Sequence, residues 1–465
     1  MTKKLMKTLS LLFALALFAT ACGSTTDAVT DAAGDAADAA ADVVDGDEEE
    51  AMEDEEEEAM EDEEEAMEDE EEAMEDEDDA AAAGGDGGEL VIGTIFPVTG
   101  DLAFLGAAEI GGAELAVQDI NAAGGVFGTD VVLLQGDSGD TTTDTANVEV
   151  DRLLAEGADA IMGAASSAVS LTVIDKITAA GVIQFSPANT SAEFTTYDDN
   201  GLYFRTAPSD DLQARVLSNQ VLDQGNVTAS VIYRQESYGT GLADEFRANF
   251  EGSGGTVDEF LAYAVDTESF DAEVDALVNA GSDAIVVIGF AESASILTTM
   301  HERGVGPTSD TNVWGVDGNA GINGELADPS ILEGFSQTGP SVDLGTITDF
   351  TDRLSAEIGE DELTLFGAET YDSVIITALA AAIAGSDGGA AIAAEVNDVT
   401  RGGTKCTDFA SCIELVNGGE DIDYDGWGGP YEFVDAGEPA AASFKIDTYG
   451  ADGADEEAAF YIFAS

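Results

Sequence analysis

Basic residues are scarce in this chain: 14 Lys and Arg stand against 97 Asp and Glu over 465 residues, a formal net charge of −83. Nucleic acid and anionic lipid headgroups are therefore excluded as partners, because such a surface repels polyanions. A single His, His301, leaves little for His-based acid–base chemistry, and three Cys supply too few ligands for a zinc cage. The sequence contains no H-E-x-x-H, no G-x-S-x-G and no G-x-x-x-x-G-K, and no G-x-G-x-x-G follows a strand. Paired carboxylates are too common in so acidic a chain to single out a glycosidase. These absences argue against an enzyme and against a cofactor, and leave ligand binding as the expected activity. Hydrophobic residues, at 44 %, suffice for real cores, and the length suits two or three compact units of roughly 150 residues each.

The acid is unevenly spread. Asp27 to Glu89 hold 33 acidic residues and no Lys or Arg, while the rest of the chain beyond them still has 64 acids against 11 basic side chains. Before the acidic run, residues 1–22 read as a secretory signal: Lys3, Lys4 and Lys7, the apolar run Leu9–Phe18, then Ala19-Thr20-Ala21-Cys22. Small residues before a Cys resemble a bacterial lipobox, which would make Cys22 the lipidated mature N-terminus and anchor the chain to the cell membrane. Ala19-x-Ala21 also suits ordinary signal cleavage, with secretion as the outcome. Residues 23–88 are low complexity, with Ala-Met pairs at Ala51-Met52, Ala59-Met60, Ala66-Met67 and Ala73-Met74. A heptad seam flanked by uncompensated Glu and Asp would repel itself, so an extended, solvated tether is expected rather than a coiled coil.

From Leu90 the pattern changes to alternating strands and helices. Leu90–Phe96 is a short apolar run, and Ile110, Ala113, Val117 and Ile120 then mark one face of a helix that stops at Gly124-Gly125. Further strands are expected at Val131–Gln135, Ala160–Gly163, Val182–Ser186, Ala229–Tyr233, Phe260–Tyr263 and Ala284–Phe290, with helices at Gly241–Phe250 and Phe270–Ala280. Apolar strands alternating with helices of this length indicate parallel sheets covered on both faces. Ligands in such sheets sit beyond the carboxyl ends of the strands. There the sequence places Ser166-Ser167, Pro187-Ala188-Asn189-Thr190, Gln235–Tyr238, Phe290 and Asp317. Hydroxyls and helix N-termini suit a carboxylate, an Asp suits an ammonium and aromatics suit an apolar body, so the set fits a zwitterionic amino acid. Serines and threonines at strand ends also serve as helix caps, which is the competing reading.

The stretch Ile92-Gly93 … Pro97-Val98-Thr99-Gly100 … Gly106 … Gly112-Ala113-Glu114-Leu115-Ala116-Val117 … Ile120-Asn121-Ala122-Ala123-Gly124-Gly125-Val126 … Gly128 closely resembles the opening of the branched-chain amino acid binding family, the type I periplasmic binding proteins that serve ABC importers. The resemblance continues through Tyr203–Asp210, Tyr238–Ala243 and Gly419–Gly426. It implies an α/β clamp of two doubly wound parallel-sheet lobes joined by a hinge that the chain crosses three times, near Ser209, Pro340 and Pro430. Lobe 1 would comprise 90–208 and 341–429, and lobe 2 would comprise 209–340 and 430–465. By position, Ser167 (with Ser166 beside it) and the Ala188 backbone would hold the ligand carboxylate. Thr190 would bridge carboxylate and ammonium, Tyr238 and Asp317 would face the ammonium, Phe290 would cover the ligand, and Phe104 and Phe366 would floor the side-chain pocket. The implied partners are a small amino acid, which the family resemblance makes aliphatic or branched-chain, and the permease and ATPase of an ABC importer, with a monomer expected. Alternatives are an amide, urea-like or aromatic-acid ligand, or a chemosensory role.

Three other signals compete. Asp421-x-Asp423-x-Asp425-Gly426-x5-Glu432 fits an EF-hand loop, but Gly428, Gly429 and Pro430 break the helix that should follow, and Tyr431–Phe433 reads as a strand, so no metal is expected. Cys406 and Cys412 lie six apart in a chain addressed outside the cytoplasm, which predicts a disulfide. His301 sits at a helix end, where a solvated role suffices.

Overall fold

The computed structural model of the chain describes residues 87–359, 363–454 and 460–465. The signal segment 1–22, with Cys22, and the tether up to residue 86 lie outside them. A first sheet has five parallel strands, β1 (Val91–Phe96), β2 (Val132–Asp137), β3 (Ala160–Gly163), β4 (Ile183–Ser186) and β5 (Tyr203–Arg205), in the spatial order β2-β1-β3-β4-β5. Helices α1 (Ala103–Ala122), α2 (Thr145–Ala155) and α3 (Ser167–Ala179) connect its strands. All of β3 and β4, and β1 after Val91, are buried, because helices cover both faces of the sheet; that is why they read as unbroken apolar runs.

The chain then enters α4 (Asp210–Asp223) and builds a second sheet from β6 (Thr228–Arg234), β7 (Thr256–Tyr263), β8 (Ala284–Ile288), β9 (Asn312–Gly315) and β10 (Ser336–Pro340). Helices α5 (Ser237–Gly252), α6 (Asp271–Ala280), α7 (Ser293–Arg303) and the single turn α8 (Ile322–Glu325) link these strands. Past Pro340 the chain returns to pack α9 (Thr348–Ile358), α10 (Gly367–Ala384) and α11 (Gly389–Val399) on the first sheet's core. A small parallel pair, β11 (Thr404–Cys406) and β12 (Ile422–Tyr424), flanks α12 (Phe409–Gly418), and the Cys406–Cys412 disulfide ties β11 to that helix. Finally β13 (Ala442–Thr448) and β14 (Phe460–Ala464) join the second sheet, whose order is β14-β13-β10-β9-β8-β6-β7. α1 and α10 approach so closely that a Cβ on Gly112 would lie 2.3 Å from the Gly367 carbonyl oxygen, so only glycine fits there. That contact fixes the helix whose first residues carry Phe366.

Two expectations need correction. The second sheet is mixed rather than purely parallel: β13 pairs antiparallel with β10, and β14 with β13, because the last crossing delivers a hairpin to its edge. Tyr431–Phe433 is no strand, and the last crossing falls later than Pro430. Tyr431 and Phe433 are buried in the first sheet's core, Phe433 makes one isolated bridge to Pro439, and Gly437 packs on Phe204. The Asp372 carboxylate organises this stretch, accepting hydrogen bonds from the Tyr424 and Tyr431 hydroxyls and from the Trp427 and Gly428 N–H groups. Side-chain anchoring of a loop to a distant helix leaves no periodicity for a sequence reading to find.

Candidate functional site

A crevice between the two sheets is lined from the first by Leu102, Leu105, Ala165, Ser166, Ser167, Ala188, Thr190 and Phe366, and from the second by Tyr238, Phe290, Asp317 and Gly318. Ser166 supplies the cap of α3, its Oγ accepting the Val169 N–H at 3.4 Å. Ser167 is thereby freed of capping duty: it begins the helix, is buried, and its Oγ accepts the Ser191 N–H at 3.3 Å. Its hydroxyl hydrogen and the Ser167 and Ala168 N–H groups at the start of α3 remain able to donate to an anion, since the opening turn of a helix has no internal acceptors for them.

The loop after β4 is held from behind. Asn189 donates to the Ala164 and Ala165 carbonyls, both at 2.9 Å, and accepts the Tyr203 hydroxyl at 2.9 Å. Arg205, wholly buried, donates to the Asn189 carbonyl at 3.2 Å and to that of Ser191 at 2.8 Å, and its guanidinium pairs with Glu438. Thr190 is thus presented on a loop clamped on either side, and is itself buried. The Ala188 N–H, expected to bind carboxylate, instead donates to Ser186 Oγ at 3.3 Å, an acceptor shared with Asn189 N–H at 3.0 Å.

On the facing wall, Tyr238 stacks on Phe290 with ring centroids 5.3 Å apart, and its hydroxyl donates to Asp317 Oδ1 at 2.9 Å. The same hydroxyl accepts the Gly318 N–H at 3.2 Å, and a Cβ on Gly318 would meet it at 3.0 Å and the Gly289 carbonyl at 2.6 Å. Gln213, from α4, also donates to Asp317 Oδ1, at 2.9 Å. Burial raises the Asp317 pKa, and the Tyr238 and Gln213 hydrogen bonds offset part of that rise. The Arg234 guanidinium lies 4.9 Å above the Phe290 ring and reaches across the crevice to Asp101 at 2.5 Å while pairing with Glu292 at 2.9 Å. Ser237 adds a second bridge across the crevice, its Oγ donating to Ser191 Oγ at 3.0 Å.

The sequence reading missed Asp210, the first residue of α4. It is wholly buried, neither carboxylate oxygen has a hydrogen-bond partner that meets normal geometry, and its N–H donates to the Thr190 carbonyl at 2.7 Å. Burial and the nearby Asp317 push its pKa well above the carboxylate range, outweighing the opposite pull of Thr190 and Arg205. An acid in the first turn of a helix behind a Ser cap is the ordinary signature of an exposed dipole-complementing residue, so nothing local distinguished it. A buried carboxylate left in this state is costly, and a cation at the crevice would relieve both it and Asp317.

Of the residues expected at the site, the crevice brings together Ser166, Ser167, Ala188, Thr190, Tyr238, Phe290, Asp317 and Phe366. Phe104 is not among them: it is half-buried against the neighbouring core, and Leu102 and Leu105, three apart, share the face of the chain that turns to the crevice. The EF-hand-like segment has a different explanation. Lys405 Nζ lies 2.9 Å from Asp423, 3.0 Å from Asp425 and 3.4 Å from Glu432, so a lysine ammonium stands among these acids. Among the described residues no group of three or more His, Cys, Asp or Glu side chains is arranged to hold a metal. His301 lies in the last turn of α7, exposed, with its Nδ1 3.2 Å from the Thr308 hydroxyl.

Residues 89–408 match the family model described as periplasmic binding protein. Among curated relatives, a Leu/Ile/Val-binding protein homolog 3 of Brucella melitensis is 29 % identical over 239 residues, which cover 50 % of this chain and 64 % of that one, a little under two-thirds of its length. Among solved structures, the substrate-binding protein LivJ from Streptococcus pneumoniae, in complex with isoleucine, matches with a TM-score of 0.67 at 23 % identity, covering 81 % of this chain and 100 % of that one. The leucine-binding protein LivK from Thermotoga maritima matches with a TM-score of 0.65 at 19 % identity, covering 80 % and 98 %. At these identities the two structures share the fold.

Proposed function

Because the chain belongs to the periplasmic binding protein family, we propose that it captures a small amino acid with an apolar side chain and hands it to a membrane importer. Members of this family are extracytoplasmic solute-binding proteins rather than enzymes, and the secretory signal read at residues 1–22 accords with that address. The observation that carries the ligand class is the opposition of two kinds of group across one crevice. One wall has Ser167, Thr190 and the start of α3, which suit a carboxylate; the other has Asp317, with the buried Asp210 near it, which suit an ammonium. The names of the curated relatives, Leu/Ile/Val-binding protein homologs, support an aliphatic or branched-chain ligand. Delivery to an ABC permease and its ATPase, by a chain tethered through a lipidated Cys22, completes the reading.

Mechanism follows from closure. The crevice as it stands has a volume of about 20 Å³, room for a single water, so a ligand enters only when the lobes part at the three crossings. Contacts made to both walls exist only when the lobes are together, so the ligand shifts the open–closed equilibrium by its differential affinity for the closed form. Calorimetric titration of the chain with amino acids and with their desamino and decarboxylated counterparts tests this. The zwitterions should bind and either half-ligand should bind far more weakly; equal affinity for a desamino acid would remove the role of the two aspartates.

The Arg234–Asp101 pair is a latch on the same equilibrium. Asp101→Asn should weaken ligand binding by about twofold to fivefold, since half-exposed ion pairs contribute up to about 1 kcal/mol. It should also flatten the salt dependence of affinity between low and high NaCl. A variant with wild-type affinity and wild-type salt slope would show that the pair is incidental to closure.

A further inference from the structure

Next to the crevice lies a second cavity, larger than it. Its volume is about 140 Å³ against about 20 Å³, and Asp317 and Phe366 border both. Its inner wall is apolar, formed by Val342, Ile347, Phe350 and Leu365; its polar side carries Gln337 and Glu369 together with Lys445 and Asp447, which pair with each other at 2.8 Å. Phe366 divides the two spaces from a fixed position: it precedes α10 with φ 61° and is buried. An ammonium held by Asp317, which borders both spaces, stands at this boundary, so a side chain leaving the ligand's α-carbon past Phe366 enters the larger cavity.

Resting on the amino-acid reading above, we propose that this cavity is the side-chain pocket and that it selects an amino acid with an aromatic, ring-sized side chain over a branched aliphatic one. A cavity of about 150 Å³ lined by apolar side chains holds a benzene ring. The four carbons of a leucine side chain would leave much of the space empty, and unfilled apolar volume forfeits contacts that a ring makes. The pocket also offers an acceptor with no partner, Gln337 Oε1 on a residue that is 8 % exposed, which a phenolic hydroxyl or indole N–H can use. Glu369 contributes a carboxyl whose pKa burial pushes up to about 7, so part of that wall is uncharged at neutral pH and tolerates an apolar guest.

Titration of the full chain with L-leucine, L-phenylalanine and L-tyrosine decides the matter. The expected result is that the better of the two aromatic amino acids binds at least tenfold tighter than leucine. Val342→Trp, at a half-buried position on the pocket wall, should then weaken the aromatic ligand at least tenfold while changing leucine by twofold or less. Should Val342→Trp fail to fold, Leu344→Trp at the 36 % exposed rim gives the same contrast. Leucine bound with neither aromatic binding tighter would overturn the pocket assignment and leave amino-acid capture intact, as would a folded tryptophan variant that binds the aromatic ligand as wild type does. If none of the three ligands binds, capture of amino acids fails and the pocket assignment falls with it.

Discussion

Asp317→Asn is expected to lower affinity for the zwitterionic ligand by about tenfold to a hundredfold, and to leave affinity for the desamino counterpart within about twofold of wild type. A hydrogen bond to a charged group contributes about 1.5–3 kcal/mol, and each 1.4 kcal/mol is a factor of ten in binding. The contrast between the two ligands matters more than the loss itself, because a merely structural role for Asp317 would weaken both. Asp317 accepts hydrogen bonds from Tyr238 and Gln213, so some rearrangement in the variant is built into the geometry. Asp210→Asn should act in the same direction, and the two losses should not add, since both acids answer to one ammonium. Folded-state pKa values of both carboxyls are raised by burial, Asp210's the more strongly. An ammonium favours their ionised forms, so affinity should fall as pH is lowered, and the fall should begin above the range of ordinary carboxylates. Binding isotherms from pH 8 down to pH 4 would show it. An affinity flat over that range would mean that neither acid serves the ligand as a counter-ion.

Arg205→Leu should cost the fold about 3–5 kcal/mol, the range for stripping one partner from a buried ion pair. The guanidinium is fully enclosed and also serves the Asn189 and Ser191 carbonyls and the Thr195 hydroxyl, so its removal strands the Glu438 carboxylate and two backbone acceptors together. Arg205→Lys should recover little, because one ammonium cannot reproduce the fork of donors. Arg205→Leu combined with Glu438→Leu should be more stable than Arg205→Leu alone, since no charge is then left buried. Denaturant midpoints across this set of variants provide the measurement. Ligand affinity should fall as well, although Arg205 does not line the crevice, because the loop bearing Thr190 loses its clamp. A midpoint for Arg205→Leu close to wild type would show that the pair contributes little to holding β5, the Thr190 loop and the approach to the last crossing together.

How much of this was legible in the chain differs by element, and the reason is physical. β3 occupies Ala160–Gly163 as read, and β1 begins one residue later than expected, because strands enclosed by helices on both faces must be apolar along their whole length. The Cys406–Cys412 bridge was equally plain, since its partners are neighbours in the chain. Readings failed where a residue's fate depends on what packs against it from elsewhere. Tyr431–Phe433 has the composition of a strand but is tied down through Tyr431 to Asp372, some sixty residues earlier. Asp423 and Asp425 have the spacing of a calcium loop but surround Lys405. Phe104 was expected at the pocket floor from its position in the family resemblance, yet Leu102 and Leu105 line the crevice and Phe104 does not.

Local order in the chain was sufficient to read the run of strands and helices, the acidic composition of residues 27–89, and the family to which it belongs, because periodicity and composition report on short-range backbone choices. The chemistry of the crevice was decided by the folding of two sheets against each other. Ser167, Thr190, Tyr238, Asp317 and Phe366 span some two hundred positions, and only the packing of the two sheets sets Asp317 opposite a wall of hydroxyls with a larger, partly apolar space beside it. Burial turns Asp210 from a helix-start residue into an acid whose ionised form is disfavoured and whose side-chain oxygens lack hydrogen-bond partners, and burial is a property of the assembled molecule, absent from any stretch of sequence read alone.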